Sequence, residues 1–262
     1  MTCTLITGAG GGLGRALARA FWARGDNLVL ADLDAELLRG LADELGDAGR
    51  IVCVAGDIAE PLHQEELLVR AQARFGGVGV LVNNAGITHR SPAAKTDPKV
   101  LRKVMQVDWQ APLELAISAL PQLQANRGAI VNIGSMAGWM PVLGRAAYCG
   151  AKSALAQSFE VLRCEQAHLG VHVLMAYPSF LDTPIEKNAL GHDGGPARHA
   201  RSTVGRPKDA DWMARRIVKA LEKRRKRIYS DRASVAASLL WRLAPDLYQR
   251  LMTRKFAVEL RQ

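Results

Sequence analysis

Short apolar or β-branched runs alternate with longer amphipathic stretches from the start of the chain to about position 230. Parallel strands cannot be joined by a tight turn, so each run of this kind requires a crossover of a dozen or more residues, usually a helix. The runs at 3–7, 27–31, 51–55, 78–82, 129–133, 171–176 and 227–229 are the predicted strands. Seven strands separated by helices predict an α/β architecture, a doubly wound sheet covered on both faces. In the first crossover Leu13, Leu17, Ala20 and Phe21 recur at helical spacing, and Gly25 supplies a stop. The second starts from Asp34, a good N-cap, and its spacing places Leu37, Leu38, Leu41 and Leu45 on one face.

A chain of 262 residues suits one such domain, here 1–231, followed by a helical tail at 232–262. An apolar content of 48% with 23% charged residues excludes a largely disordered or collagen-like chain. The stretch 190–208 contains His192, Gly194, Gly195, Pro196 and Pro207 and has no period, which predicts a mobile loop within a substrate segment at about 179–208. Cys3, Cys53, Cys149 and Cys164 form no CxxC pair, and no His/Cys cluster has metal-ligand spacing, so neither a disulfide framework nor a metal site is expected. With no export signal and no uncharged stretch long enough to span a bilayer, the expected location is cytoplasmic.

Directly after the first strand run Thr7-Gly8-Ala9-Gly10-Gly11-Gly12-Leu13-Gly14, and then a helix. A glycine-rich turn at this place brings backbone N–H groups close to a pyrophosphate, and the helix N-terminus adds a favourable dipole. The GxGxxG dinucleotide fingerprint does not fit these glycines, and no Gly-Lys-Ser/Thr of a P-loop is present. What fits is TGxxxGxG. Asp32 closes the second strand, where a carboxylate accepts hydrogen bonds from adenosine ribose hydroxyls and repels a 2′-phosphate. Further on, Tyr148-Cys149-Gly150-Ala151-Lys152 sets a phenol and an ammonium four residues apart on one helical face, an arrangement in which the cation favours phenolate. Ser135 lies 13 residues upstream of Tyr148, after the fifth strand.

In this order these motifs resemble the short-chain dehydrogenase/reductase family over roughly residues 2–230, together with Asn83-Asn84-Ala85-Gly86 after the fourth strand and Asp57-Ile58 after the third. The resemblance implies a seven-stranded Rossmann sheet in the order 3-2-1-4-5-6-7 and alcohol/ketone chemistry linked to a nicotinamide dinucleotide. It implies a cofactor site made by Thr7, Gly8, Gly10, Gly11, Gly12, Leu13, Gly14, Asp32, Leu33, Asp57, Ile58, Asn84, Ala85, Gly86, Val107, Tyr148, Lys152, Pro178, Phe180 and Thr183. Gly11 and Leu33 stand where NADP-preferring relatives often carry Arg or Lys, so NAD is the expected cofactor. Tyr148 is the implied acid/base, Ser135 the group that polarises the substrate oxygen, and Lys152 the tuning and ribose-binding amine.

Two positions depart from the family pattern. Asp108 stands 27 residues before Ser135, where Asn is usual. A carboxylate there is open to three readings: an electrostatic pair with Lys152, a buried acid that keeps its proton, or a relay weakened to a dinucleotide-responsive binding function with little turnover. In Pro178-Ser179-Phe180-Leu181-Asp182-Thr183 a serine replaces the glycine of PGxxxT, which narrows the backbone freedom of that loop.

The net charge of +10 belongs to the end of the chain, since residues 201–262 hold 17 Lys and Arg against 6 Asp and Glu. Between 232 and 262, Leu239, Leu240, Trp241, Leu243, Leu247, Tyr248, Leu251, Met252, Phe256 and Leu260 alternate with cations on either side of Pro245. Such a stripe fits an anionic membrane surface, a cover over a lipophilic substrate, another subunit, or a solvated helix docked on its own domain, the last being preferred over membrane contact. Trp139, Met140, Val142, Leu143 and Phe180 suggest an apolar alcohol or ketone as small-molecule substrate. Arg224-Arg225-Lys226-Arg227 comes without a recognition motif, so it reads as a solvated cluster and no nucleic-acid partner is expected. Family resemblance implies a homodimer or homotetramer paired through helices at about 103–125 and 146–169.

Overall fold

The strands β1 (Cys3–Thr7), β2 (Asn27–Asp32), β3 (Ile51–Ala55), β4 (Val80–Asn83), β5 (Ala129–Ile133), β6 (His172–Tyr177) and β7 (Arg227–Tyr229) form one parallel sheet in the order β3-β2-β1-β4-β5-β6-β7. They are seen in a computed structural model that describes residues 1–183, 188–197 and 207–256. Strand order reverses between β1 and β4, which opens a crevice beyond the carboxyl ends of those strands, where doubly wound sheets take ligands. Three strands differ at their ends from the periodic reading. β4 starts at Val80 because Gly79 belongs to the incoming turn, while β2 and β6 each run one residue further, with Asp32 paired to Ala55 and Tyr177 to Tyr229.

Alternate strand residues supply two cores. On one face Ile6, Leu28, Leu30, Val82, Val131 and Leu174 pack under α1 (Gly12–Ala23), α2 (Ala35–Leu45) and α7 (Ala210–Glu222). On the other Leu5, Val29, Leu81, Ile130 and Val173 pack under α3 (Pro61–Phe75), α5 (Ala111–Ala125) and α6 (Ala146–Gln166). Asp34 caps α2 by accepting from the Glu36 and Leu37 amides. Leu38 and Leu41 are buried, but Leu37 is exposed, against the predicted stripe, because the first turn of α2 overhangs the glycine-rich turn instead of the sheet.

The stretch 98–125 is not one regular helix. After α4 (Pro98–Met105) the chain widens through a π-type turn over Gln106–Gln110 before α5 begins. Pro112 has no N–H to give the Asp108 carbonyl four residues earlier, and the turn relaxes so that the Ala111 N–H bonds Gln106 O. The described part of 190–208 is hydrogen-bonded to its surroundings. The Leu190 amide donates to Thr88 O, its carbonyl accepts from Arg90, and His192 O accepts from Asp97 N, so 188–197 is pinned beside the crevice. Residues 198–206 lie outside the described residues, as do 184–187 and 257–262, Leu260 among them. Helices α8 (Arg232–Leu243) and α9 (Pro245–Lys255) fold back on the loop after β5.

Candidate active site

The glycine-rich turn is shaped by contacts that only glycine allows. Gly8 and Gly12 have φ of +64° and +51°, left-handed conformations that carry a penalty for any side chain. A Cβ on Gly14 would lie 1.8 Å from Gly8 O, and one on Gly8 would lie 2.9 Å from Ala85 Cα. The neighbouring NNAG turn completes the clamp: Asn84 Nδ2 donates to Thr7 O at 2.9 Å and to Gly8 O at 3.0 Å, while Thr7 Oγ1 accepts from the Asn84 and Ala85 amides. Thr7 and Asn84 therefore hold two loops together.

These residues fit a dinucleotide pyrophosphate. Gly11, the N-cap of α1, provides no side-chain cap, which leaves the amides of the first helical turn available to an anion. A Cβ on Gly11 would meet nothing within 4 Å, so this side of the turn is open. Asp32 stands half-buried at the rim, its two oxygens accepting from Gly10 N at 2.8 Å and Asp34 N at 3.2 Å, with lone pairs left for hydroxyls. Leu33 is 71% exposed beside it and brings no cation. Asp57 and the buried Ile58 follow β3, and Asp57 is tied to a group that local spacing does not reveal: Lys103 Nζ, on α4, lies 2.8 Å from its Oδ2. Partial burial works against the Asp57 charge, yet Lys103 and the Ala59 amide hold the carboxyl below its ordinary value.

Across the crevice Ser135, two residues beyond the end of β5, and Tyr148, in the first turn of α6, are both half-buried, with Ser135 near enough to the phenol to help lower it. Lys152, one turn further along α6, is buried, with Nζ 5.8 Å from the Tyr148 ring centroid and donating to Ile133 O at 3.2 Å. The π-type turn brings Asp108 under this group. Its carboxylate is fully buried, with Oδ1 accepting from the Ile87 amide at 2.7 Å and Oδ2 facing Lys152 Nζ at 3.1 Å. Oδ2 has no aligned hydrogen-bond donor, so the contact with Lys152 is electrostatic. Of the three readings open for Asp108, the structure contains the pair with Lys152.

Burial opposes the Lys152 ammonium, but Asp108 and Tyr148 together outweigh it and the amine is held above its ordinary value. Burial likewise pushes the Asp108 carboxyl up, only partly countered by Lys152 and the Ile87 N–H. Lys152 does lower the Tyr148 phenol, as the spacing implies, but the net shift is upward. Burial pushes the phenol above its ordinary value, and the pull of Lys152, of nearby Ser135 and of the more distant Arg145 does not fully offset burial and the Asp108 charge.

The Ser179 departure is absorbed locally: Ser179 N donates to Ser230 Oγ at 2.7 Å, and Ser179 is not among the residues with positive φ. Pro178 and Phe180 are half-buried at the end of β6, where the Phe180 carbonyl accepts from Lys208 N, and Thr183 is the last described residue of that segment. Val107, in the π-type turn, is buried. Sequence spacing missed a buried polar wall beside Tyr148. His89 Nε2 accepts from the Ala147 N–H at 3.1 Å, and Arg145, the residue before α6, donates to Thr88 Oγ1 at 2.8 Å. Burial, aided by Arg145, lowers His89 to about 4, so it stays neutral. The signal available was the polar run Thr88-His89-Arg90-Ser91, one residue after NNAG.

The profile of the short chain dehydrogenase family matches residues 2–193. A curated relative from Bos taurus, dehydrogenase/reductase SDR family member 7B, is 32% identical over 260 residues, covering 96% of this chain and 80% of its own length. Among solved structures, a short-chain dehydrogenase/reductase from Burkholderia phymatum in complex with NAD is 25% identical, with a TM-score of 0.83 and coverage of 94% of each chain. A short-chain dehydrogenase from Sphingobium yanoikuyae in complex with NADPH is also 25% identical, with a TM-score of 0.78, covering 97% of this chain and 96% of that one.

Proposed function

Because the chain belongs to the short-chain dehydrogenase/reductase family, we propose that it is an NAD-linked oxidoreductase interconverting a secondary alcohol and a ketone, with Tyr148 as the acid/base. The observation that carries this reading is the convergence of Ser135, Tyr148 and the Lys152–Asp108 pair beside the glycine clamp. The nicotinamide, when bound, supplies the acceptor or donor of a hydride and, when oxidised, a positive charge.

The chain's own groups handle the proton and the oxygen. Ser135 Oγ donates to the substrate oxygen as negative charge grows on it, the role of a preorganised donor. Tyr148 Oη takes the alcohol proton in oxidation and returns it in reduction. Lys152 lowers the cost of the phenolate, and Asp108 keeps that amine charged and in place. Asp32 and the cation-free Leu33 and Gly11 support NAD over NADP. The half-buried Trp139, Met140, Val142, Leu143 and Phe180 support a lipophilic substrate.

The test is a panel of alcohols and ketones with both nicotinamide cofactors, read by dinucleotide absorbance, with Tyr148→Phe alongside. Turnover with an apolar alcohol, abolished in Tyr148→Phe while NAD affinity stays within about twofold, is expected, since the phenol hydroxyl acts on the substrate and not on the pyrophosphate. Full turnover in the variant would refute the assignment. Asp108, paired with Lys152 where the family usually has Asn, favours one second reading, a dinucleotide-responsive binding protein with weak or no turnover, which predicts NAD binding with little or no turnover anywhere in the panel.

A further inference from the structure

Helices α8 and α9 have two faces. The inward face is spent on the domain: Tyr248 and Met252 are buried, Tyr248 Oη donates to Pro141 O at 2.9 Å, and Trp241 meets the Tyr248 ring edge-on. The outward face is apolar without a partner among the described residues. Leu239 and Leu243 on α8 and Leu247 and Leu251 on α9 are each four residues apart within their helix and are 51%, 83%, 49% and 50% exposed. A row of large exposed side chains is far from the scattered single residues that a solvated helix ordinarily shows.

Cations border the row. On α9, Arg250 and Arg254 each lie three residues beyond Leu247 and Leu251, which sets them about 60° round the helix from the leucines. Over 232–256 the chain carries five Lys and Arg against one acidic side chain, Asp246. No helix among the described residues is long and apolar enough to cross a membrane. A second copy placed on this face by a two-fold axis would oppose two surfaces of the same positive sign, whereas an anionic bilayer would complement the charge and bury the leucines.

We propose that the leucine row of α8 and α9 seats the protein on an anionic lipid surface, with Arg250 and Arg254 reaching the headgroups. The long arginine stems allow the guanidinium groups to stay at headgroup level while the leucines enter the acyl boundary. Seating has a consequence for substrate access. The same two helices hold the loop after β5 through Tyr248 and through Arg242, which lies over Trp139 at 5.6 Å, so that loop follows the tail to the surface. The docking stands on the tail alone and does not depend on the chemistry assigned to Tyr148.

The experiment is co-sedimentation of the full chain with phosphatidylcholine vesicles and with vesicles containing phosphatidylglycerol, at low and high salt. Leu243→Glu/Leu247→Glu and Arg250→Gln/Arg254→Gln are run in parallel, with near-ultraviolet circular dichroism and NAD titration as checks of folding. Binding to the anionic vesicles only, falling with salt, is expected. The arginine pair should weaken it by roughly 25-fold, about fivefold for each cation, and the leucine pair should abolish it. Equal binding to both vesicle types, no binding to either, or retention by the leucine variant would overturn the proposal. So would a wild-type oligomer that dissociates in the leucine variant, since the face would then be an interface between copies.

Discussion

Replacing Asp108 by asparagine restores the residue usual in the family, yet this pocket is built for a carboxylate. Both oxygens are in use: Oδ1 accepts from the Ile87 amide at 2.7 Å and Oδ2 faces Lys152 Nζ at 3.1 Å. An asparagine has one acceptor oxygen. If that oxygen serves Ile87, the amide NH2 confronts an ammonium; if it serves Lys152, the NH2 confronts the Ile87 N–H. At 3.1 Å and an effective dielectric of about 20 the Coulomb attraction between the two charges is about 5 kcal/mol, offset in part by the carboxylate's own desolvation. Removing one partner of such a buried pair leaves a net loss of about 3 kcal/mol. For a domain of this size that lowers Tm by roughly 6–12 °C. Turnover should fall roughly tenfold or more, because Lys152 loses one of the two contacts that orient it. A readout beyond stability comes from Tyr148. The Asp108 charge raises the phenol and the Lys152 charge lowers it, so removing the anion moves the rising limb of kcat/KM for alcohol oxidation, where Tyr148 must be deprotonated, to lower pH. The assay is a melting curve with a pH–rate profile for NAD reduction. An unchanged Tm together with an unmoved limb would refute the ion pair, and a gain in rate would show a relay damaged by the carboxylate.

Three further outcomes follow from local geometry. Gly14→Ala forces a Cβ to 1.8 Å from Gly8 O and should cost about 3 kcal/mol of stability and most NAD affinity, whereas Gly11→Ala, with nothing within 4 Å, should leave Tm unchanged; calorimetry and melting curves read both. Asp32→Ala removes the acceptor for Gly10 N and for ribose hydroxyls, so NAD should bind roughly tenfold more weakly while NADP binds no worse, as read by titration of each. His89 is held at about 4, below the ordinary 6.5, so above pH 6.5 its contribution to stability is fully present, and it is lost as pH falls towards 4 because the unfolded chain takes up the proton first. By pH 5 this amounts to about 2 kcal/mol in urea unfolding; His89→Gln keeps an acceptor for Ala147 N–H without titrating, and equal acid losses in the two proteins would contradict the assignment.

The parts of the site legible in the sequence are those whose partners sit at fixed local spacing or on successive strand ends. The glycine turn, Asp32, Ser135 and the Tyr148–Lys152 pair belong to this class, and the structure brings them around one crevice. The fold was legible for the same reason, since buried parallel strands alternate with amphipathic helices whatever the loops do. Contacts between distant segments were not. Lys103 meets Asp57 across 46 residues and His89 meets Ala147 across 58, and no periodicity links either pair. Leu37 misled the helical reading because period alone places it inward; what frees it is the overhang of α2 above Gly10, where a Cβ would come within 2.8 Å of Leu37 Cβ.

The burial of Asp108 has a cause that lies in the sequence but shows only in three dimensions. Pro112 leaves the Asp108 carbonyl without its ordinary helical donor, and at this point α4 passes into α5 through a turn one residue wider, with Ala111 N–H bonded to Gln106 O. That wider turn holds Asp108 fully buried beside Lys152 and the Ile87 amide. A carboxylate so enclosed would be costly unless a cation and a hydrogen-bond donor met it, and Lys152 and Ile87 are those two groups. The aspartate, the proline and the lysine therefore act as one unit. Substituting Asp108 alone disturbs a pair whose geometry the rest of the turn still enforces, which is why asparagine, harmless as a family residue, is expected to be costly in this chain.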